Sequence, residues 1–173
     1  MSALEITLTV ILSIVGVYLL LVLVDIIFVL VFKKIFKKHD KTITVLLTTK
    51  YDIIKRIIEQ LNSLNISVEF KYIKMLQDIN IKSFSNKTSK ETVEYKNNLN
   101  LIKENIFSLI RNNDIASKHK ELGKMKNDLQ ELELHYRSLV IMYNSDVLGY
   151  NYWIKFLPTR YLWLKAKDKD FIQ

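Results

Sequence analysis

From Ile6 to Phe32 the chain reads ITLTVILSIVGVYLLLVLVDIIFVLVF, an apolar run interrupted only by small polar residues, one tyrosine and a single charge, Asp25. A helix of that length crosses a hydrocarbon core of roughly 30 Å with residues to spare, so residues 6–32 are read as a transmembrane helix. The preceding MSALE is acidic rather than basic, and the run is longer than the apolar region of a secretory signal, which points to a permanent anchor.

Beyond the run, the apolar positions recur every three or four residues, the spacing of one helical face. A first helix is expected over 41–62 with Ile43, Leu47, Ile54, Ile58 and Leu61 on its inner stripe, ended by NSLN at 62–65. A second, around 67–81, carries Phe70, Ile73, Leu76 and Ile79 or Asn80 inward, and KSFSNKTS at 82–89 reads as a polar loop. A capping box, Thr88 with Glu91, starts the third helix, whose stripe is Tyr95, Leu99, Ile102, Ile106 and Leu109 and which NND ends at 112–114.

The fourth helix is expected from Ser117 to Leu157, about 60 Å long. Leu122, Met125, Leu129, Leu132, Tyr136, Leu139, Tyr143, Val147, Tyr150, Ile154 and Leu157 form one continuous seam along it. The pair Tyr143-Asn144 recurs one heptad later as Tyr150-Asn151, so both tyrosines face the seam and each asparagine stands at its edge, placed to bond a neighbouring helix or backbone. Pro158 cannot continue the helix. The expected fold is therefore all-α: an N-terminal transmembrane helix followed by an elongated antiparallel four-helix bundle over 42–157. An up-and-down order returns the chain to the bilayer, where the tail 158–173 mixes Tyr161, Trp163 and Phe171 with Arg160, Lys165, Lys167 and Lys169. That composition suits a head-group interface or, equally, a cap on the bundle's open end.

Charge adds orientation. Lys33, Lys34, Lys37, Lys38 and Lys41 form a basic juxtamembrane segment at 33–41, while the short segment 1–5 carries only Glu5 and the terminal amine. By the positive-inside rule the N-terminus lies outside and the bundle in the cytoplasm, a single-pass arrangement at the cell membrane. The formal net charge of +8 fits attraction of these lysines to anionic lipid, or merely a Lys-, Asn- and Ile-rich composition. Asp25 sits either at the inner interface, reaching water, or two turns inside the bilayer with a helix-pairing or proton-relay role.

Candidate chemistry is sparse. There is no cysteine, and His39, His119 and His135 are too scattered to share an ion. ELELHY lacks the Glu-x-x-His spacing of a di-iron bundle, and no phosphate loop or nucleophile motif occurs. Four arginines without a common basic face do not suggest a nucleic-acid reader. No enzyme, metal, cofactor or small-molecule substrate is expected.

Two blocks carry a family resemblance. Lys50, Tyr51, Asp52, Ile53 and Ile54 match a basic-Tyr-Asp-Leu-Ile string, with Lys55 where proline is usual; Tyr143, Asn144, Val147, Tyr150, Asn151, Ile154 and Pro158 match a C-terminal block of paired Tyr-Asn ending in Phe-Pro, with Leu157 for the phenylalanine. Together with the N-terminal span they resemble the LemA family of membrane-anchored helical proteins, over about 41–165 and most specifically at the C-terminal block. The resemblance implies a divergent, short, non-catalytic scaffold or accessory protein whose bundle presents a surface to a protein partner, self included, at the bilayer. The alternative is a membrane-remodelling or lipid-binding protein acting through its tail, with Trp163 and the juxtamembrane lysines at the interface.

Overall fold

A computed structural model describes residues 2–85, 90–156, 160–163 and 166–172. Among them the regular structure is entirely helical: α1 Ala3–Ser63, α2 Phe70–Gln77, α3 Lys90–Asn112, α4 Asp114–Lys118 and α5 Lys120–Trp153, with 3-10 turns at Ile81–Ser85 and Arg160–Trp163.

The segments expected at 6–32, 33–41 and 41–62 are one helix. A capping box opens it: the Ser2 amide donates to Glu5 Oε2 at 2.8 Å and the Glu5 amide to Ser2 Oγ at 3.3 Å. Between Gly16 and Ser63 there is neither glycine nor proline, and the lysines at 33–41 are good helix formers that need no break. Thr42, Thr44 and Thr48 return their hydroxyls to the carbonyls four residues earlier. The helix stops at a Schellman turn, in which the Ile66 amide bonds the Leu61 carbonyl and the Asn65 amide bonds that of Asn62, each at 3.0 Å. Asn65 takes the left-handed conformation this turn demands, φ 59°, which asparagine tolerates better than other non-glycine residues.

From Leu4 to Val24 no face of α1 is buried by the rest of the chain. That length, roughly 30 Å, is long and apolar enough to cross a membrane. Burial begins at Asp25, which has no solvent exposure, so the reading in which it reaches water from the inner interface is replaced by one in which it is enclosed. It then recurs at Val29, Phe36, His39, Ile43, Leu47, Lys50, Ile54, Ile57 and Leu61, a single seam passing through the basic segment.

The chain divides into two compact units, Met1–Lys37 with Tyr143–Phe171, and Lys38–Met142 with Ile172–Gln173. The core of the second unit is aliphatic: Ile43, Ile54, Leu61, Leu99, Ile102, Ile106, Leu122 and Leu129 are all fully buried. Here α3 packs against α2 and α4. The second helix is shorter than its periodicity suggested because Glu69 provides no side-chain cap and Asp78 ends it. Phe70, expected inward, is 76% exposed; Leu76 and Ile79 are buried as expected. The supposed polar loop instead contributes Phe84, fully buried in its 3-10 turn, with its carbonyl accepting from Thr44 Oγ1 at 3.2 Å. Thr88 of the expected capping box lies outside the described residues.

The NND stretch does end α3, and it also begins α4: Asn113 Oδ1 accepts from the Ile115 and Ala116 amides at 3.0 and 3.1 Å. His119 then turns extended and its Nδ1 accepts from the Leu122 amide, so α5 starts at Lys120 rather than Ser117. At 34 residues α5 is about 51 Å long. Along the expected seam Leu122, Leu129, Leu132, Tyr143, Val147 and Tyr150 are buried and Met125, Tyr136 and Leu139 half-buried; the helix ends at Trp153, short of the expected Leu157, and Ile154, also buried, follows it in a turn. Leu157 and Pro158 lie outside the described residues.

Candidate functional site

Among the described residues each unit holds a prominent cluster of interacting side chains. In the unit built on Tyr143–Phe171, the repeated Tyr-Asn pair converges on Phe36. Its ring centroid lies 5.5 Å from those of Tyr143 and Tyr150, tilted to one and edge-on to the other. These are the offset geometries that aromatic quadrupoles favour. All three rings are buried. Phe28 stacks on Trp153 at 4.5 Å, and a Cβ added to Gly149 would come within 2.7 Å of the Phe32 ring, so the helix leaves that position bare for the phenylalanine.

The second asparagine of the repeat does what its edge position allows. Asn151 Nδ2 donates to the Lys169 carbonyl at 3.1 Å, and Asn151 Oδ1 accepts from the Lys169 amide at 2.8 Å. A planar amide thereby pairs with one residue of the tail through both backbone groups. Lys169 Nζ lies 4.9 Å from the Phe36 centroid, a cation–π contact, and Lys155 is ion-paired with Asp168. Burial, then the nearby Asp168 charge, raises the Tyr150 phenol above its usual value. Asn151→Ala removes both backbone bonds and is expected to speed tryptic cleavage at Lys167 and Lys169 severalfold, as followed by mass spectrometry.

The other expected site residues are distributed rather than gathered. Val147 and Ile154 are buried, Asn144 is half-buried, and Tyr51 and Asp52, half-buried and exposed, belong to the other unit. Lys33, Lys34, Lys37, Lys38 and Lys41 are exposed. The side chain of Trp163 lies outside the described residues, as does Pro158.

In the unit spanning Lys38–Met142, α1, α3 and α5 meet at a charged knot that periodicity does not reveal. Glu133 Oε1 accepts from Lys50 Nζ at 2.8 Å and from Lys103 Nζ at 2.9 Å, and its Oε2 accepts from Lys103 at 2.9 Å. Lys50 also donates to Asn100 Oδ1 at 2.6 Å. Burial opposes the Glu133 charge, but the hydrogen bonds and charges of the two lysines outweigh it and hold the carboxyl below its ordinary value. For Lys103 burial is likewise overcome, by Glu133 and Glu104, and its pKa rises. Lys50 is more deeply enclosed, and desolvation there prevails over Glu133, lowering its pKa. The two partners of one ion pair thus shift to favour a charged carboxylate but a less basic amine; the geometry, with three hydrogen bonds from two lysines on one carboxylate, supports the ionised state.

No protein-family model, curated protein or solved structure matches the chain. Its chemistry is therefore read from its own residues. Among the described residues no group of three or more His, Asp or Glu side chains is placed to hold a metal ion. The signal that marked the charged knot was a lysine at a core position: Lys50 falls between Leu47 and Ile54 on the buried seam of α1.

Proposed function

We propose that the chain is a LemA-like, single-pass membrane protein, N-terminus outside, whose cytoplasmic helices pack as an antiparallel bundle and serve as a non-catalytic scaffold or accessory surface for a partner protein. The observation that carries this reading is α1 itself: an apolar stretch with no buried residue from Leu4 to Val24, continuing without a break into a helix with one buried seam. The five exposed lysines at 33–41 suit the cytoplasmic boundary.

The alternative, a tail that acts by inserting into lipid, is less favoured because Asn151 and Phe36 engage Lys169. In-membrane crosslinking of the full chain, read by mass spectrometry, is expected to return one reproducible protein partner, a second copy of the chain included. Recovery of only random membrane proteins contradicts the scaffold reading.

A further inference from the structure

Beside the Lys50–Glu133–Lys103 knot lies an open-sided cavity of about 540 Å³ between α1, α3 and α5. That is within the roughly 300–1,000 Å³ of small-molecule pockets. One wall is branched aliphatic: Leu46, Leu47, Leu132, Val140 and Ile141. The other is charged, with Lys50, Lys96, Lys103 and Arg137 against Glu104 and Glu133, so basic groups outnumber acidic ones by two. Both carboxylates are bonded to lysines of the cluster. Arg137 makes no ion pair among the described residues, and Lys96 Nζ lies 5.3 Å from the centroid of the Tyr136 ring.

We propose that this cavity binds a single-chain fatty acid, its carboxylate between Arg137 and Lys96 and its alkyl chain along Leu46, Leu132 and Val140. Three features select this class. An arginine fork meets a carboxylate through two parallel hydrogen bonds, which gives orientation as well as attraction. The apolar wall is aliphatic, and the one aromatic face in the lining, Tyr136, is covered by Lys96, so a flat base or ring has nothing to stack on. A bilayer, which the apolar part of α1 suits, is a source of such amphiphiles, though the site stands whether or not the bundle has a protein partner. Burial lowers the Lys96 pKa and pushes the Tyr136 phenol up to about 12, and an anion beside Lys96 would offset that desolvation and favour its charged form.

The test uses the full chain in zwitterionic lipid nanodiscs titrated with dodecanoate labelled with ¹³C at its carboxyl. A saturable carboxyl resonance absent from empty nanodiscs is expected. Arg137→Gln should weaken binding at least tenfold, as should dodecanol in place of the acid, measured by competition. Val140→Trp, which fills the cavity, should abolish the resonance; if that variant loses its helical circular dichroism, Arg137→Gln, at an exposed position, decides alone. Absence of a protein-dependent resonance, or binding indifferent to Arg137→Gln, overturns the proposal. Dodecyl phosphate displacing dodecanoate at a tenth of its concentration overturns the carboxylate assignment.

Discussion

Replacing Glu133 with alanine is expected to destabilise the Lys38–Met142 unit by about 3 kcal/mol, toward the lower end of what breaking a buried ion pair costs. The side chains of Lys50 and Lys103 are only 8% and 11% exposed, and both point at this one carboxylate, itself 20% exposed. Removing it leaves two neighbouring ammonium groups with only Asn100 for Lys50 and the exposed Glu104 for Lys103 to offset their desolvation. The residual exposure of Glu133 lets some water reach them, hence the lower end of the range. For a chain of this length the loss corresponds to a fall in Tm of roughly 10 °C.

The effect carries a pH signature. The folded-state pKa of Glu133 is depressed below its ordinary 4.5, so its contribution is fully present above that value. It is lost as the pH falls through the lower folded value. The stability gap between wild type and Glu133→Gln should be constant near neutrality and narrow below about pH 4.5, as read from urea unfolding at each pH in nanodiscs. A gap that widens on acidification contradicts this assignment.

Phe36→Ala should have a comparable effect in the other unit, about 3–5 kcal/mol, the usual cost of truncating a buried phenylalanine. Phe36 is 3% exposed and meets Tyr143, Tyr150, Phe32 and the Lys169 ammonium. Truncation therefore opens a cavity at the point where the tail is held as well as along the α5 seam. Phe36→Leu should recover part of the stability but not the cation–π contact, so tryptic cleavage at Lys169 should remain faster than wild type. Equal protection of the tail in wild type and both variants contradicts the role given to the ring.

Much of this arrangement is legible in the sequence because it rests on apolar periodicity. The α5 seam from Leu122 to Tyr150 is buried at most of the expected positions and half-buried at Met125, Tyr136 and Leu139, and the paired tyrosines are core residues on it. That the N-terminal helix is long and apolar enough to cross a membrane was legible from the length of the run and its single charge. What periodicity does not carry is continuity: the lysines at 33–41 read as a break between two segments, yet as good helix formers they leave α1 unbroken. Nor does it carry long-range polar pairing. Glu133 follows Leu132 and reads as the seam's solvated flank, while its partners are 83 and 30 residues away. The heptad spacing puts Asn151 at the seam's edge, but its partner, the Lys169 backbone, belongs to a segment without any periodicity. Phe70 shows the converse failure, an apolar residue at the first position of a short helix, where a stripe has not yet been established.

The account depends most on α1 being one helix whose Leu4–Val24 stretch lies in lipid. Nitroxide scanning of single-cysteine variants from position 4 to 44 in liposomes, comparing oxygen and water-soluble relaxant accessibility, tests this directly. The predicted result is exclusion of the polar relaxant throughout 4–24, followed by a helical 3.6-residue oscillation that runs through 33–41 in phase with Val29, Phe36 and Ile43. Access of the polar relaxant across 4–24, or a loss of helical phase between 33 and 41, would contradict it.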